Sequence, residues 1–304
     1  MTREEAERLL LLAREAQLVG PEAPRWIERL EPKREEMVEA VGWLAADGER
    51  EAAAELAASV WRLWLLSGDL AGGRKMLAAA LDLDHPKPSH ARALALYADG
   101  LLAFRQGAAA DSLARNDEAL TEARALGDTQ AEALALVGLS RLALRGGDYA
   151  RVRALAREAR ELSHPLGDAA EAAPLHLLAA GTRLAGDYDA ALALYTESLE
   201  LSQRLNDTRG VTMELHNMGH VQLHRGNLDD ARRCFAACAE TRNEDDPYEA
   251  AMTHLNRAAL AFATGDRAAA ADLVRRTQAR LDEVGIVLDP DDAFEVKWLT
   301  DQLR

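Results

Sequence analysis

The sequence predicts an all-α fold, a right-handed α-solenoid of about six helical hairpins with extra helices at both ends. Three observations predict it. A glycine turn recurs every 39 or 40 residues, at Gly68, Gly107, Gly147, Gly186, Gly226 and Gly265. A second break follows most of these by about 20 residues, at Pro86 to Pro88, Gly127-Asp128, Gly167-Asp168, Asn206-Asp207, Asp245 to Pro247 and Gly285. Between breaks the chain is rich in Ala, Leu, Arg and Glu, the composition of helices. A fixed period of this size marks units that cannot bury their apolar faces alone and stack in order to do so.

In chain order, a first helix is expected over residues 3–18, ended by Gly20-Pro21. A second helical stretch covers 25–46, kinked at Pro32 and stopped by Asp47-Gly48, so that residues 1–48 form an N-terminal cap or half repeat. The array occupies 49–286. First helices are expected at 49–67, 89–106, 129–145, 168–185, 208–225 and 247–264. Their partners are expected at 70–83, 109–125, 148–163, 188–204, 228–241 and 267–284. Asp69, Asp148 and Asp187, just after turn glycines, read as helix N-caps. Asp289-Pro290-Asp291 introduces a C-terminal capping helix within 287–304, with Phe294 and Trp298 on one face. Such a helix commonly seals the exposed end of an array.

The register within each hairpin supports this division. Seven residues before each turn glycine stand Trp61, Gly100, Ser140, Ala179, Gly219 and Ala258; twelve after it stand Ala80, Ala119, Ala159, Ser198, Cys238 and Thr277. Small side chains at these positions let two helices cross closely. Eleven before it stand Ala57, Leu96, Leu136, Leu175, Leu215 and His254, mostly leucines that fill the remaining space.

Composition narrows the function. Of 304 residues 48% are hydrophobic and only 5% aromatic, so small and aliphatic side chains do the packing. A net charge of −15 argues against a general nucleic-acid coat, which needs a basic footprint. Acid-rich stretches such as Arg3, Glu4, Glu5, Glu7 and Arg8 read as solvated helix faces with i,i+4 pairs. The only cysteines, Cys234 and Cys238, form no disulfide framework, which fits a reducing cytoplasm. The apolar run Leu9 to Leu12 is too short for a signal-peptide core, and no stretch approaches a membrane span. A cytoplasmic protein is the expectation.

The stretch His216-Asn217-Met218-Gly219-His220 … Gly226-Asn227-Leu228-Asp229-Asp230-Ala231 … Phe235 … Cys238 resembles the tetratricopeptide-repeat family, as does Tyr188-Asp189-Ala190-Ala191 … Tyr195 … Ser198. The period here exceeds the usual 34 residues, which implies longer helices. A narrower resemblance covers about residues 26–84. Trp26-Ile27-Glu28-Arg29-Leu30-Glu31, Trp43-Leu44, Trp61-Arg62-Leu63-Trp64, Gly68-Asp69-Leu70, Gly73-Arg74 and Leu77 look like the start of a C-terminal repeat arm. Large bacterial signalling ATPases and LuxR-type or maltose-regulator-type activators carry such an arm. The chain departs from them in showing no phosphate-binding Gly-x-x-x-x-Gly-Lys-Ser/Thr segment and no helix-turn-helix. Gly72-Gly73-Arg74-Lys75 falls inside an expected helix with no strand before it, the wrong context for a phosphate loop.

In tetratricopeptide repeats the first helices line the concave surface. The residues ten, six, three and two before each turn glycine give 24 inner positions, which hold five arginines, four histidines and no acid, where composition alone would place about four acids. The expected ligand-binding groove is Arg62, Tyr97, Phe104, Arg105, Arg141, Arg145, His176, Arg183, His216, His220 and His224, with Asn217 and Asn256 recurring nine before the turn glycine. A basic stripe in a groove focuses positive potential toward a carboxylate, phosphate or acidic peptide. The resemblance implies that the two asparagines bond an extended ligand's backbone or terminal carboxylate; local bonding to a neighbouring helix is the competing reading. His216, His220 and His224 cannot all share a metal, since eight residues of helix advance about 12 Å. No metal, cofactor or catalytic constellation is expected. The function expected is a non-enzymatic scaffold for a protein or peptide partner, anionic or carboxylate-bearing, in bacterial regulation or signalling, without direct nucleic-acid or membrane contact. The alternative is the effector-sensing arm of a transcription or signalling system.

Overall fold

A computed structural model describes residues 1–20, 22–82, 87–241, 246–284 and 287–304. The breaks read at Pro21, Pro86, Asp245 and Gly285 lie outside the described residues, as do 83 and 286 at the expected ends of a helix and of the array. The described chain is helical throughout, with no strand.

The N-terminal segment folds as α1 (Arg3–Glu15), α2 (Ala23–Leu30) and α3 (Arg34–Ala46). A capping box opens α1, Thr2 and Glu5 each accepting the other's backbone N–H. The kink expected at Pro32 is a 3-10 turn, Glu31–Lys33, because proline supplies no amide to an α-helical ladder. Arg3 pairs with Asp47 and Glu49, at 3.1 and 2.7 Å, instead of along its own helix.

The first hairpin departs from its expected form. Its first helix is in two pieces, α4 (Arg50–Val60) and α5 (Arg62–Ser67), followed by α6 (Leu70–Leu81). The break falls on Trp61, the one bulky side chain at a register where every other hairpin places Gly, Ala or Ser. The remaining hairpins are α7 (His90–Arg105) with α8 (Ala109–Leu126), α9 (Thr129–Arg145) and α10 (Tyr149–Ser163), α11 (Asp168–Leu184) with α12 (Tyr188–Arg204), α13 (Thr208–His224) with α14 (Leu228–Thr241), and α15 (Pro247–Ala263) with α16 (Arg267–Val284). The last helix is α17 (Pro290–Leu303).

The turns form as their chemistry requires. Gly226 has φ of 79°, a left-handed value that a side chain strains, and this ends α13. Asp69, Asp148 and Asp187 accept the backbone N–H three residues on, capping α6, α10 and α12. At the crossing register Ala119, Ala159, Ala179, Ala258 and Thr277 are fully buried. A Cβ on Gly219 would lie 2.3 Å from the Phe235 ring, so only glycine lets α13 approach α14 this closely. Gly73 likewise sits against Trp64 and Leu102, which makes the Gly72-Gly73 pair a packing feature of α6.

By internal packing the chain divides into two units, residues 1–142 with 158–166, and residues 143–157 with 167–304. The first has a core of Leu30, Met37, Leu56, Leu77, Leu96 and Leu102. In the second, α17 packs Leu299 among Leu255, Leu281 and Ala251. No helix among the described residues is long and apolar enough to cross a membrane.

Candidate functional site

In the second unit α17 does more than cap α16. Its acidic side reaches back onto α15, α13 and α11, the first helices of three successive hairpins. Pro290 starts the helix and Asp291, Asp292 and Glu295 fall on its first turns, so one face presents three carboxylates. All three are buried.

Glu295 is the centre of the contact. It lies 3.2 Å from Arg183 Nη1 on α11, 3.3 Å from His220 Nδ1 and 3.0 Å from His224 Nε2 on α13. Asp292 receives His216 Nε2 at 2.9 Å and the Tyr248 hydroxyl of α15. Arg183 Nη2 also donates to the Asp291 carbonyl at 3.4 Å and stands 3.8 Å from its carboxylate. His224 is further enclosed by aromatic rings, stacked on Tyr188 at 5.5 Å and edge-on to Trp298 at 4.6 Å.

The electrostatics follow from this enclosure. Burial opposes the charge on Glu295, but His220, His224 and Arg183 together hold its carboxyl well below the usual range. Burial is likewise outweighed at Asp292, which His216 and Tyr248 keep below its ordinary value. For His220 the balance reverses: burial lowers it despite the pull of Glu295. The guanidinium of Arg183 stays protonated although burial disfavours its charge, because the surrounding acids favour it. The charged centre is thus arginine with carboxylates, while His220 turns Nδ1 to Glu295 and Nε2 to Asn256.

The sequence-predicted groove residues of this unit therefore come together, but against the chain's own acids. Arg183, His216, His220 and His224 were expected to be open to a ligand; while α17 is seated they are already paired. His176 bonds Glu214 Oε1 at 3.0 Å, and Ser198 donates to the same oxygen. Asn256 accepts from His220 at 3.1 Å and turns its amide nitrogen toward Cys238 Sγ, the local bonding weighed as the competing reading. Asn217 differs: it is buried, and neither amide atom has a partner. Arg145 lies at the end of α9, half-buried.

The first unit keeps a different part of the stripe. Tyr97 and Phe104 are buried on α7, and Arg105 is half-buried at its end. Arg62 lies 4.5 Å over the Trp61 ring, which meets Tyr97 edge-on at 6.3 Å. Burial, and next to it the charge of Arg141, draws the Arg62 guanidinium below its ordinary range while Tyr97 opposes this. Arg141 buries its Nε without a hydrogen-bond partner. Among the described residues neither arginine has a carboxylate within ion-pair distance. Arg74 and Arg115, by contrast, share the buried carboxylate of Asp99 at 2.9 and 2.8 Å.

Sequence reasoning missed Glu214, which lies two residues before His216 and outside the four registers sampled, and the three acids of α17. The available signal was the spacing of Asp291, Asp292 and Glu295, which complements a cationic stripe as Phe294 and Trp298 complement an apolar one.

No family model matches the sequence, and no curated protein matches it. Solved structures do. A Rap protein complexed with competence and sporulation factor aligns at a TM-score of 0.65 and 12% identity, over 97% of this chain and 80% of that one. NprR in complex with its cognate peptide NprX aligns at 0.62 and 15%, over 98% and 82%. A tetratricopeptide-repeat protein from Parabacteroides merdae aligns at 0.58 and 12%, over 98% and 99%. The fold is that of the tetratricopeptide-repeat proteins. Likeness to the regulator arms of LuxR or maltose type is not among these findings.

Proposed function

We propose that the chain is a non-enzymatic recognition scaffold that holds a carboxylate-bearing peptide segment against the first helices of its hairpins. One observation carries this reading: the face made by α11, α13 and α15 accepts three carboxylates of a helical segment in a buried setting, on Arg183, His216, His220 and His224. A surface that can desolvate three acids has the donors in place to recognise an acidic segment. The Rap structure with competence and sporulation factor and the NprR structure with its cognate peptide support a peptide ligand in a regulatory role.

Within this reading Arg62 and Arg141 are the anion-binding pair of the first unit, with Tyr97 and Phe104 adding apolar area. Arg105 extends the polar lining of the first unit, and Arg145 and His176 that of the second. The Asn217 amide can accept from one peptide N–H and donate to a carbonyl. Asn256 positions His220. A small-effector reading is less well supported. The cleft lined by Phe235, Cys238, Thr253, Asn256 and Arg257 holds about 240 Å³, below the roughly 300–1,000 Å³ of typical ligand pockets, and a hollow of about 530 Å³ at Arg25, Trp26, Glu28 and Arg29 lies on α2, outside the first-helix stripe.

The test is fluorescence anisotropy with labelled acidic peptides and their amidated counterparts, on the wild-type chain and on Arg62→Glu with Arg141→Glu. Acidic peptides should bind preferentially, and the double reversal should weaken them by about tenfold or more. Equal binding by both proteins at low salt would remove the basic-stripe reading.

A further inference from the structure

The chemistry of the α17 contact is unusual for a helix that only closes an array. Sealing an end requires apolar contact, and α17 has it in Trp298 and Leu299. Burying Asp291, Asp292 and Glu295 adds nothing that well-packed apolar residues would not supply, because desolvating charges offsets most of their attraction. What such a network adds is selectivity for one pattern of charge.

The seat is also imperfect. Arg183 Nε and His216 Nδ1 are buried without hydrogen-bond partners, and both amide atoms of neighbouring Asn217 are unpaired. Arg183 and His216 are among the residues that α17 covers. A segment that kept the three carboxylates and also presented a carbonyl to Arg183 Nε would satisfy a donor that α17 leaves open.

From these observations we propose that α17 is a resident self-ligand, an autoinhibitory segment that occupies the partner site and must leave before an acidic partner segment can bind. This rests on the reading of the first-helix face as a peptide site and specifies how that site is controlled. The partner carries carboxylates at the spacing of Asp291, Asp292 and Glu295, on a helix or an extended segment that reaches the same cations. Competition between the two is governed by the fraction of molecules with α17 lifted. The apparent affinity for a partner falls in proportion to that fraction, so raising it about tenfold tightens binding about tenfold.

The experiment adds a labelled synthetic peptide of residues 287–304 to the full chain. It compares the wild type with two variants that weaken only the resident helix, Glu295→Gln and Trp298→Ala. The added peptide keeps all its acids and its tryptophan in every case. Trp298→Ala removes an apolar contact with His224 and Phe262 and leaves no unpaired charge, so it remains informative if Glu295→Gln folds poorly. Hydrogen exchange is read over residues 290–303 of the chain at each peptide concentration.

The expected result is weak binding to the wild type, about tenfold tighter binding to either folded variant, and faster exchange in α17 as peptide is added. A peptide with Asp291, Asp292 and Glu295 amidated should fail to compete. Equal affinity for wild type and variants, or binding that leaves α17 exchange unchanged, overturns self-inhibition. The peptide-site reading then stands on the Arg62 and Arg141 result. Failure of every acidic peptide to bind any of these proteins overturns both.

Discussion

Asn217 buries a side-chain amide whose nitrogen and oxygen both lack hydrogen-bond partners, and such a group costs about 1–3 kcal/mol. Leucine has similar size and no polar atoms to leave unsatisfied. Asn217→Leu should therefore leave stability unchanged or raise it by up to about 1 kcal/mol, while weakening acidic-peptide binding. Asn256, at the same register of the next hairpin, supplies the control. Its oxygen accepts from His220, so Asn256→Leu strips a buried imidazole of its partner and should destabilise by about 1–3 kcal/mol. Urea denaturation of both variants beside peptide anisotropy checks the pair. A loss of stability in Asn217→Leu would mean that its amide is satisfied in the free protein. The two asparagines are indistinguishable by sequence register. Their different surroundings come from what α12, α13 and α14 bring beside each.

At the scale of the helix, α17 shows where legibility ends. The hairpins were readable because each turn is local chemistry: a left-handed glycine, an aspartate cap three residues before the amide it accepts, and a small residue at the crossing. The destination of α17 has no such local signature. Its acids meet partners 71, 76 and 108 residues earlier, so a face that read as open in sequence is covered in the fold. The same contact sets a pH dependence. Glu295 and Asp292 have folded values below the ordinary carboxylate range, so their contribution is complete above about pH 4.5 and is lost as pH falls through the folded values. His220 has a folded value below the ordinary 6.5, so the unfolded chain binds more protons and acidification below that point already lowers the stability of the fold. Both effects have the same sign. The protection of residues 290–303 against hydrogen exchange, corrected for the pH dependence of the intrinsic rate, should fall in two stages, the first below about pH 6.5 and the second below about pH 4.5, and His220→Gln should remove the earlier stage. Protection that rose on acidification would contradict the lowered value of His220.

Taken whole, the molecule carries a net charge of −15 while its first-helix faces collect arginine and histidine. These two features act over different distances. At an ionic strength of about 0.01 M the screening length is about 30 Å, so an approaching acidic peptide meets the repulsion of the full negative surface. At about 0.1 M it is about 10 Å, and only charges close to the peptide still act. Association of an acidic peptide should therefore speed up as salt rises over this range, the opposite of the steering given by an evenly basic groove. Dissociation should change less, because buried pairs such as those available at Arg183 are screened weakly. Stopped-flow measurements on the Trp298→Ala chain, in which α17 competes less, separate the two rates. A steep fall in association rate with added salt would show that the stripe dominates the field far from the surface, and that the acidic remainder of the molecule takes no part in selecting its partner.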